Sequence, residues 1–425
     1  MWGLVLVRVQ KRHTSIHRVR QGEQLSFALI TPKRHSLTGG IIARLLATPE
    51  LQFVGARMLR PSAKLTDEFF LEMQRAAHED GVIDPYEDTF LKAYPTIFGE
   101  EELKESGVAN HTMLLLFAGG AQTRQVLADV VGANVPNPND FGKTIRGTYG
   151  DYFKDRTGKI NLFQPAVVVP PSDESNRRCL EVLAKYLDSD HALRTINAEE
   201  RNQPLGWAKQ TGLVMIKPDN LERPSSLPGH IIDLFGTTGL QLIGARVFCM
   251  RGMEFYGFLE NVFVKKLKPN LEEAMKQRLA SAFEYEVTDQ DYAKMADVVI
   301  NRHARCEVAK IIHYMTGVHP DDAKTDELFR KPGPAKCFAL LYRGDNAIEI
   351  IRSKLGVTDP KKARAGTIRS DYGHDLMRNG AHASDSPEGA LRERRIVGLM
   401  GDEPSEEKAV ILEWLHASSA PLSRQ

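Results

Sequence analysis

An internal repeat limits what this 425-residue chain can fold into more than any other feature of its sequence. A pattern that returns in the same order means one supersecondary plan used twice, so any fold assigned to one half has to serve the other. "LITP", Leu29 to Pro32, returns as "MIKP", Met215 to Pro218. "LQFVGARM", from Leu51, returns as "LQLIGARV", from Leu240, and "KTIRGTYGDY", from Lys143, returns as "GTIRSDYGHD", from Gly366. The first two pairs are separated by nearly the same length of chain. The third pair is separated by more, which requires an insertion in the second copy between Val247 and Thr367, and the charged, helix-prone residues Lys265 to Arg305 supply part of it. The expected organisation is a basic leader over 1–21, a first copy over 22–195, a linker over 196–208 and a second copy over 209–425, with the insertion around 260–306.

Both copies carry the same succession of periodicities. Short apolar strands (Ser26 to Ile30; Gly212 to Ile216) run into Pro-containing loops, and amphipathic helical stretches follow (Gly39 to Leu46; Gly229 to Leu234). Second strands come next (Leu51 to Met58; Leu240 to Phe248). The apolar runs "HTMLLLFAG" from His111 and "KCFALLYRG" from Lys336, bounded by glycine, read as buried strands, with helices behind them at Ala121 to Val131 and Asn346 to Lys354. Strand–helix–strand alternation with an antiparallel component predicts an α/β chain of two tandem ferredoxin-like sandwiches. "ESNRRCLEVLAKYL", Glu174 to Leu187, closes the first copy, and Asn197 to Pro204 reads as the linker. "EEKAVILEWLHA", Glu406 to Ala417, reads as an amphipathic C-terminal helix whose Trp414 packs.

Composition narrows the function classes. A formal net charge of +1 provides no global field to gather nucleic acid or an anionic membrane, so any anion site has to be local. Four cysteines without a CxxC pair argue against a zinc centre or a disulfide framework and fit a reducing compartment such as the cytoplasm. No apolar run reaches the roughly 18 residues a membrane span needs. Residues Arg8 to Arg20 hold five Lys or Arg and no acid, which reads as a disordered basic leader, with mitochondrial targeting as the alternative.

The chemistry concentrates in the second copy, in Arg378-Asn379-Gly380-Ala381-His382-Ala383-Ser384-Asp385-Ser386. A histidine among small residues can be approached closely, and Asp385 or Ser386 before Pro387 is a helix start. His382 would then stand just ahead of a helix N-terminus, where anions are favoured. A neutral imidazole can attack phosphorus when its other nitrogen is held by an acceptor, for which Glu388 and Glu393 are the candidates.

The run N-x-x-H-A-S-D-S resembles the active-site signature of nucleoside diphosphate kinases. The resemblance extends over Leu213 to about Met400 through Lys217 in "MIKPD", Arg352 and Thr358 in "RSKLGVTDP", Arg369 in "GTIRSDYG" and Glu393 behind the signature. It implies transfer of the γ-phosphoryl group of a nucleoside triphosphate to a nucleoside diphosphate through a phosphohistidine at His382. Lys217, Arg352 and Arg369 would supply cations to the phosphates, and Thr358 a hydroxyl. Asn379 would bind the sugar or the transferring group, and Glu393 with Ser384 would orient the imidazole. Mg²⁺ would arrive with the nucleotide rather than in a protein cage. Members of this family are homo-oligomers, and two fused copies would mimic one of their interfaces.

The match departs from the family at the base. Tyr256 in "EFYGFL" is the candidate aromatic support for the catalytic histidine and Ile311 the candidate apolar base contact, while Glu307 stands where the family has Phe at the base. In the first copy Thr31 takes the lysine position and Phe70 the tyrosine position, the signature reads Val169-Pro170-Pro171-Ser172-Asp173 with Pro170 at the histidine position, and Arg146 alone survives clearly among the phosphate ligands. This copy is therefore expected to be a structural or regulatory pseudodomain. Two alternatives to an active kinase remain: a nucleotide sensor without turnover, and a phosphohistidine-based protein kinase or carrier.

Overall fold

The computed structural model describes residues 19–32, 37–79, 111–133, 138–158, 160–189, 192–201, 209–252, 263–285, 287–295, 299–320 and 331–419. The first copy runs β1 (Gln24–Ile30), α1 (Thr38–Leu46), β2 (Gln52–Leu59), α2 (Ala63–Glu79), β3 (Thr112–Gly119), α3 (Thr123–Val131) and α4 (Ile145–Tyr149). The hairpin β4 (Asp151–Lys154) and β5 (Ile160–Gln164) follows, then β6 (Val167–Val168), α5 (Asp173–Tyr186) and α6 (Ala192–Arg201). The second copy repeats the plan with β7 (Lys209–Ile216), α7 (Leu227–Gly236) and β8 (Gln241–Arg251). Three helices, α8 (Phe263–Ala282), α9 (Asp289–Met295) and α10 (Asn301–Thr316), precede β9 (Pro332–Asp345). The chain then passes through α11 (Ala347–Leu355), α12 (Ile368–Tyr372), β10 (Ala381–Ala383), α13 (Pro387–Ile396) and α14 (Glu406–Ser419). The helical character expected of the insertion is present in α8 and α9.

The two main sheets have the same order, β2-β3-β1-β6 and β8-β9-β7-β10, and their pairings are antiparallel throughout. This is the strand order of a ferredoxin-like sandwich, twice. Even the irregularities repeat: the β2–β3 register shifts between Phe53 and Gly55, and the β8–β9 register between Leu242 and Gly244.

Strand side chains alternate between faces, so each sheet has two apolar faces to cover. The inner faces share one core. Ala28 and Ile30 of β1 and Val214 and Ile216 of β7 belong to the same buried cluster, closed by Ile41, Ile42 and Leu45 of α1 and by Ile231, Ile232 and Phe235 of α7. Helices α1 and α7 cross closely because glycines stand at the crossing. A Cβ on Gly39 would lie 2.4 Å from the Asp233 nitrogen, and one on Gly229 would lie 2.2 Å from that of Ala43. Phe53 of β2 meets Phe338 of β9 edge-to-face with ring centroids 5.2 Å apart, and the Lys336 ammonium donates to the Phe53 carbonyl at 3.0 Å. The two copies are thus joined through a buried seam rather than strung on a linker.

The outer faces are covered crosswise. α14, which ends the second copy, places Val410, Ile411, Trp414 and Leu415 in the core of the first copy, with Phe27, Leu29 and Leu180. α6, which ends the first copy, places Ile196 in the outer core of the second, with Leu213, Met215, Val397 and Leu399. Two expectations change accordingly. Residues 196–201, read from sequence as the start of a linker, are the last turns of α6, with Asn197 buried; residues 202–208 lie outside the described set. The stretch 406–419, assigned by sequence to the second copy, packs on the first.

At the start of β3, His111 is only 8% exposed and neither ring nitrogen has a hydrogen-bond partner among the described residues. Burial pushes its pKa down to about 4, and the Arg60 charge pushes the same way. The folded-state pKa is depressed below the ordinary value, so stability is retained above about 6.5 and lost as the pH falls toward about 4. We expect thermal unfolding to show a loss of about 3 kcal/mol across that window, and His111→Gln to flatten it.

Candidate active site

β10 lies against β7 in a register that sets His382 opposite Met215, one residue before Ile216 and two before Lys217. The turn into β10 needs Gly380, whose φ of +84° is strained for other residues, and its carbonyl accepts from the Asn220 amide at 3.0 Å. After β10, Ser386 caps α13 by accepting from the Gly389 N–H at 3.0 Å, with Pro387 in the first turn, as its sequence predicted. The first turns of α13 bring Glu393 back beneath the imidazole.

His382 Nε2 lies 3.0 Å from Glu393 Oε2, and the Ser384 hydroxyl donates to the same oxygen at 2.6 Å. Glu393 is 3% exposed, and the His382 side chain beside it is 28% exposed. Burial raises the Glu393 pKa, but the His382 charge and the hydrogen bonds from His382 and Ser384 outweigh it and hold the carboxyl below its ordinary value. A carboxylate held ionised against Nε2 keeps a proton there, which in the neutral ring leaves the lone pair on Nδ1.

Cations surround this imidazole. Lys217 Nζ donates to Asn379 Oδ1 at 2.6 Å and to the Met377 carbonyl at 2.8 Å. Burial brings its pKa down to about 8, with the Arg369 field adding to the effect. Arg369, on α12, donates to the Gly356 carbonyl at 3.0 Å and reaches the Ala381 carbonyl at 3.5 Å. Burial and then the neighbouring Arg352 lower its pKa to about 10. Arg352 stands exposed near the end of α11. Asn379 is buried, and its amide donates to the Thr358 carbonyl at 3.0 Å, tying the Thr358 loop to the turn before His382. Lys217 and Arg369, each lowered in part by a neighbouring arginine, form with Arg352 a local cluster of positive charge, within a chain whose net charge gives no hint of one.

Of the ten positions singled out from sequence, His382, Ser384, Glu393, Lys217, Asn379, Arg369, Arg352 and Thr358 gather on β7, α11, α12, β10, α13 and their loops. Ile311 lies on α10 and packs against the outer core of the second sheet. Tyr256 lies outside the described residues. Two further groups join the site. The Tyr314 hydroxyl donates to the Asp219 carboxylate, and the Lys217 ammonium lies 5.9 Å from the Tyr314 ring centroid. Burial first, and then Asp219, push the Tyr314 phenol far above its usual range, so it remains a donor. Nothing in the sequence spacing of "MIKPD" and Tyr314 shows that they meet.

The equivalent region of the first copy is closed. β6 pairs Val168 with Leu29, as β10 pairs His382 with Met215, and Val168 precedes the helix cap Ser172 as His382 precedes Ser386. Val168, fully buried, therefore occupies the histidine position. The sequence expectation of Pro170 was two residues out, because it was anchored on the prolines rather than on strand pairing. Cys179 stands where Glu393 would be, and burial raises its thiol to about 12. Arg146 keeps the bonds that Arg369 makes in the second copy, donating to the Val167 carbonyl at 3.1 Å and to that of Gly132 at 2.7 Å as Arg369 does to Ala381 and Gly356.

The fold and the site define a duplicated ferredoxin-like α/β protein in which one copy presents a carboxylate-oriented histidine within a cluster of cations. The family model described as "Nucleoside diphosphate kinase" matches residues 313–397. A nucleoside diphosphate kinase of Sulfurisphaera tokodaii is 30% identical over 187 residues, which are 44% of this chain and 87% of the relative. Those of Methanoregula boonei and Methanosphaera stadtmanae are 51% and 43% identical over 57 and 91 residues, or 13% and 21% of this chain. The last two alignments span 38% and 57% of those relatives' own lengths. The chain belongs to the nucleoside diphosphate kinase family.

Proposed function

We propose that this chain is an active nucleoside diphosphate kinase working through its second copy, with His382 as nucleophile. The observation that carries the reading is the Glu393–His382 pair, set among Lys217, Arg369 and Arg352. The Nδ1 lone pair attacks the γ-phosphorus of a nucleoside triphosphate in line. The bond from that phosphorus to the bridging oxygen breaks, and its electrons leave with the nucleoside diphosphate. In the second half-reaction a terminal oxygen of another diphosphate attacks the phosphorus of the phosphohistidine, the N–P bond breaks and its electron pair returns to Nδ1. Phosphoryl transfer of this kind depends on positioning and charge stabilisation, which the three cations and Asn379 supply. Losing one such donor commonly costs about 2.7–4 kcal/mol of transition-state stabilisation. Mg²⁺ enters as part of the nucleotide substrate, because cations and an amide are donors for phosphate oxygens rather than for a metal.

Tyr256 is assigned to support the catalytic histidine, Ile311 to the base end of the nucleotide, and Thr358 to the phosphates. The first copy serves as a structural partner, since Val168 and Cys179 offer neither nucleophile nor orienting acid. The family resemblance carries a homo-oligomer of two-domain chains, the α1–α7 seam already supplying one dimer-like contact within each chain. The four cysteines, all thiols, suit the cytoplasm. Among the described residues no helix is long and apolar enough to cross a membrane.

The test separates binding from turnover: affinity for ADP by calorimetry, and conversion of GDP to GTP at the expense of ATP. Both are expected. Tight ADP binding without GTP formation would replace the kinase with a nucleotide sensor. The pH profile supplies a second check. Lys217, lowered to about 8, is cationic below that pH and neutral above it, so kcat/KM is expected to fall with an apparent pKa near 8. Lys217→Arg should lose activity at neutral pH but carry no limb in that region.

A further inference from the structure

Arg394, the neighbour of Glu393 on α13, is 2% exposed. Its guanidinium donates to Glu200 Oε2 at 2.7 Å and to the Asn197 side-chain carbonyl. Both acceptors lie on α6, the helix that ends the degenerate first copy. The second Glu200 oxygen accepts from the Thr211 hydroxyl on β7, the strand that carries Lys217 at its far end. The Asn197 amide donates to the Met400 carbonyl beyond α13. Around these bonds Ile196 packs with Val397 and Leu399, which follow α13 directly, and with Leu213 and Met215 of β7. One helix of the first copy therefore holds α13, which carries Glu393, and β7, the strand against which β10 sets His382.

We propose that α6 is a positioning element for the second copy's active site, with Glu200 and Asn197 as positioning residues that act through Arg394 on Glu393. A buried guanidinium is tolerated only where its partners are fixed. The same bonds that neutralise Arg394 therefore set the rotation of α13 about its axis. Glu393 is the adjacent residue on that helix, so a small rotation changes its approach to His382 Nε2, and misplacements of this size cost rate rather than affinity. The degenerate copy thereby acquires a role: it has lost the nucleophile position to Val168 but supplies the support on which the other copy's nucleophile is oriented. This inference rests on the proposed kinase reading for its kinetic consequence and on geometry alone for its structural one.

The experiment uses the full chain with Glu200→Gln, and with Glu199→Gln as the control. Glu199 is the preceding residue of α6, and its pair with Arg343 at 2.9 Å points away from α13. Three quantities are read below the melting point of each variant: ADP affinity, the single-turnover rate of protein phosphorylation by ATP, and the ¹⁵N shifts of the His382 ring. For Glu200→Gln we expect ADP affinity within about threefold of wild type, a phosphorylation rate down by about tenfold or more, and ring shifts moved from the Nε2–H tautomer toward a mixture. Glu199→Gln should change none of these. Should Glu200→Gln fail to fold, Asn197→Ser keeps the Glu200 pair and is expected to shift the tautomer and slow phosphorylation by about threefold. Wild-type rate and wild-type ring shifts in a folded Glu200 or Asn197 variant overturn the proposal. If the wild-type protein is itself never phosphorylated, the kinase reading fails, and the ring shifts alone still decide the positioning claim.

Discussion

Ending the chain after Pro404 is expected to unfold the first copy, although every residue removed lies at the far end of the sequence. α14 buries Val410, Ile411, Trp414 and Leu415 against the outer face of the first sheet, each 7% exposed or less. At about 1.5–3 kcal/mol per fully buried large apolar side chain, their removal withdraws roughly 6–12 kcal/mol, against a net stability of about 5–15 kcal/mol for an ordinary domain. Polar anchors go with them: Arg57 loses Glu407, 3.8 Å away, and Asp188 loses the Lys408 ammonium at 2.8 Å. Circular dichroism melting should show the truncated chain losing its cooperative transition or melting tens of degrees lower, by roughly 2–4 °C for each kcal/mol in a domain of this size. A truncated chain that melts within a few degrees of the full one would mean that α14 only rests on the sheet. The milder Trp414→Ala should cost about 3–5 kcal/mol.

The second large effect is catalytic. His382→Ala removes the group proposed to take the phosphoryl group while leaving the cations proposed to hold it. Lys217 is fixed by Asn379 and Met377, and Arg369 by Gly356 and Ala381, none of them through the imidazole. Nucleotide turnover is therefore expected to fall by at least about four orders of magnitude while ADP affinity stays within about threefold. A parallel loss of affinity would place the histidine in binding rather than in chemistry. Glu393→Gln keeps the packing but removes the charge that fixes the tautomer. It should give a smaller fall, on the order of 10²–10⁴ in kcat, with affinity again preserved.

The parts of this protein legible in its sequence are those set by local pattern or by repetition. The duplication gave both sheets, because "LQFVGARM" and "LQLIGARV" can only be one strand used twice, and the structure places them as β2 and β8 with the same register shift. The cap Ser386 with Pro387, and the approach of Glu393 to His382, follow from helical spacing within a dozen residues. What stayed hidden depends on which surfaces meet. The apolar stripe of α14 says that the helix is amphipathic but does not say that its partner is the first sheet. Asn197 and Glu200 in a polar stretch looked like a linker, since nothing local reveals a buried arginine at position 394 waiting for them. The misplaced histidine equivalent in the first copy is a register error. A two-residue slip is invisible to residue likeness across a degenerate stretch, and the Val168–Leu29 pairing resolves it. The contact of Lys217 with Asn379 joins opposite ends of the second copy, and only the pairing of β10 with β7 brings them together.

The measurement that bears most directly on the central claim follows labelled γ-phosphate from ATP-Mg²⁺ onto the protein and then onto an added nucleoside diphosphate, in wild type and His382→Ala. The account predicts an acid-labile, alkali-stable phosphoenzyme in wild type that discharges to the diphosphate, and no label on the variant. Wild-type protein that binds nucleotide and never takes up the label, or a variant that takes it up as readily, would contradict it.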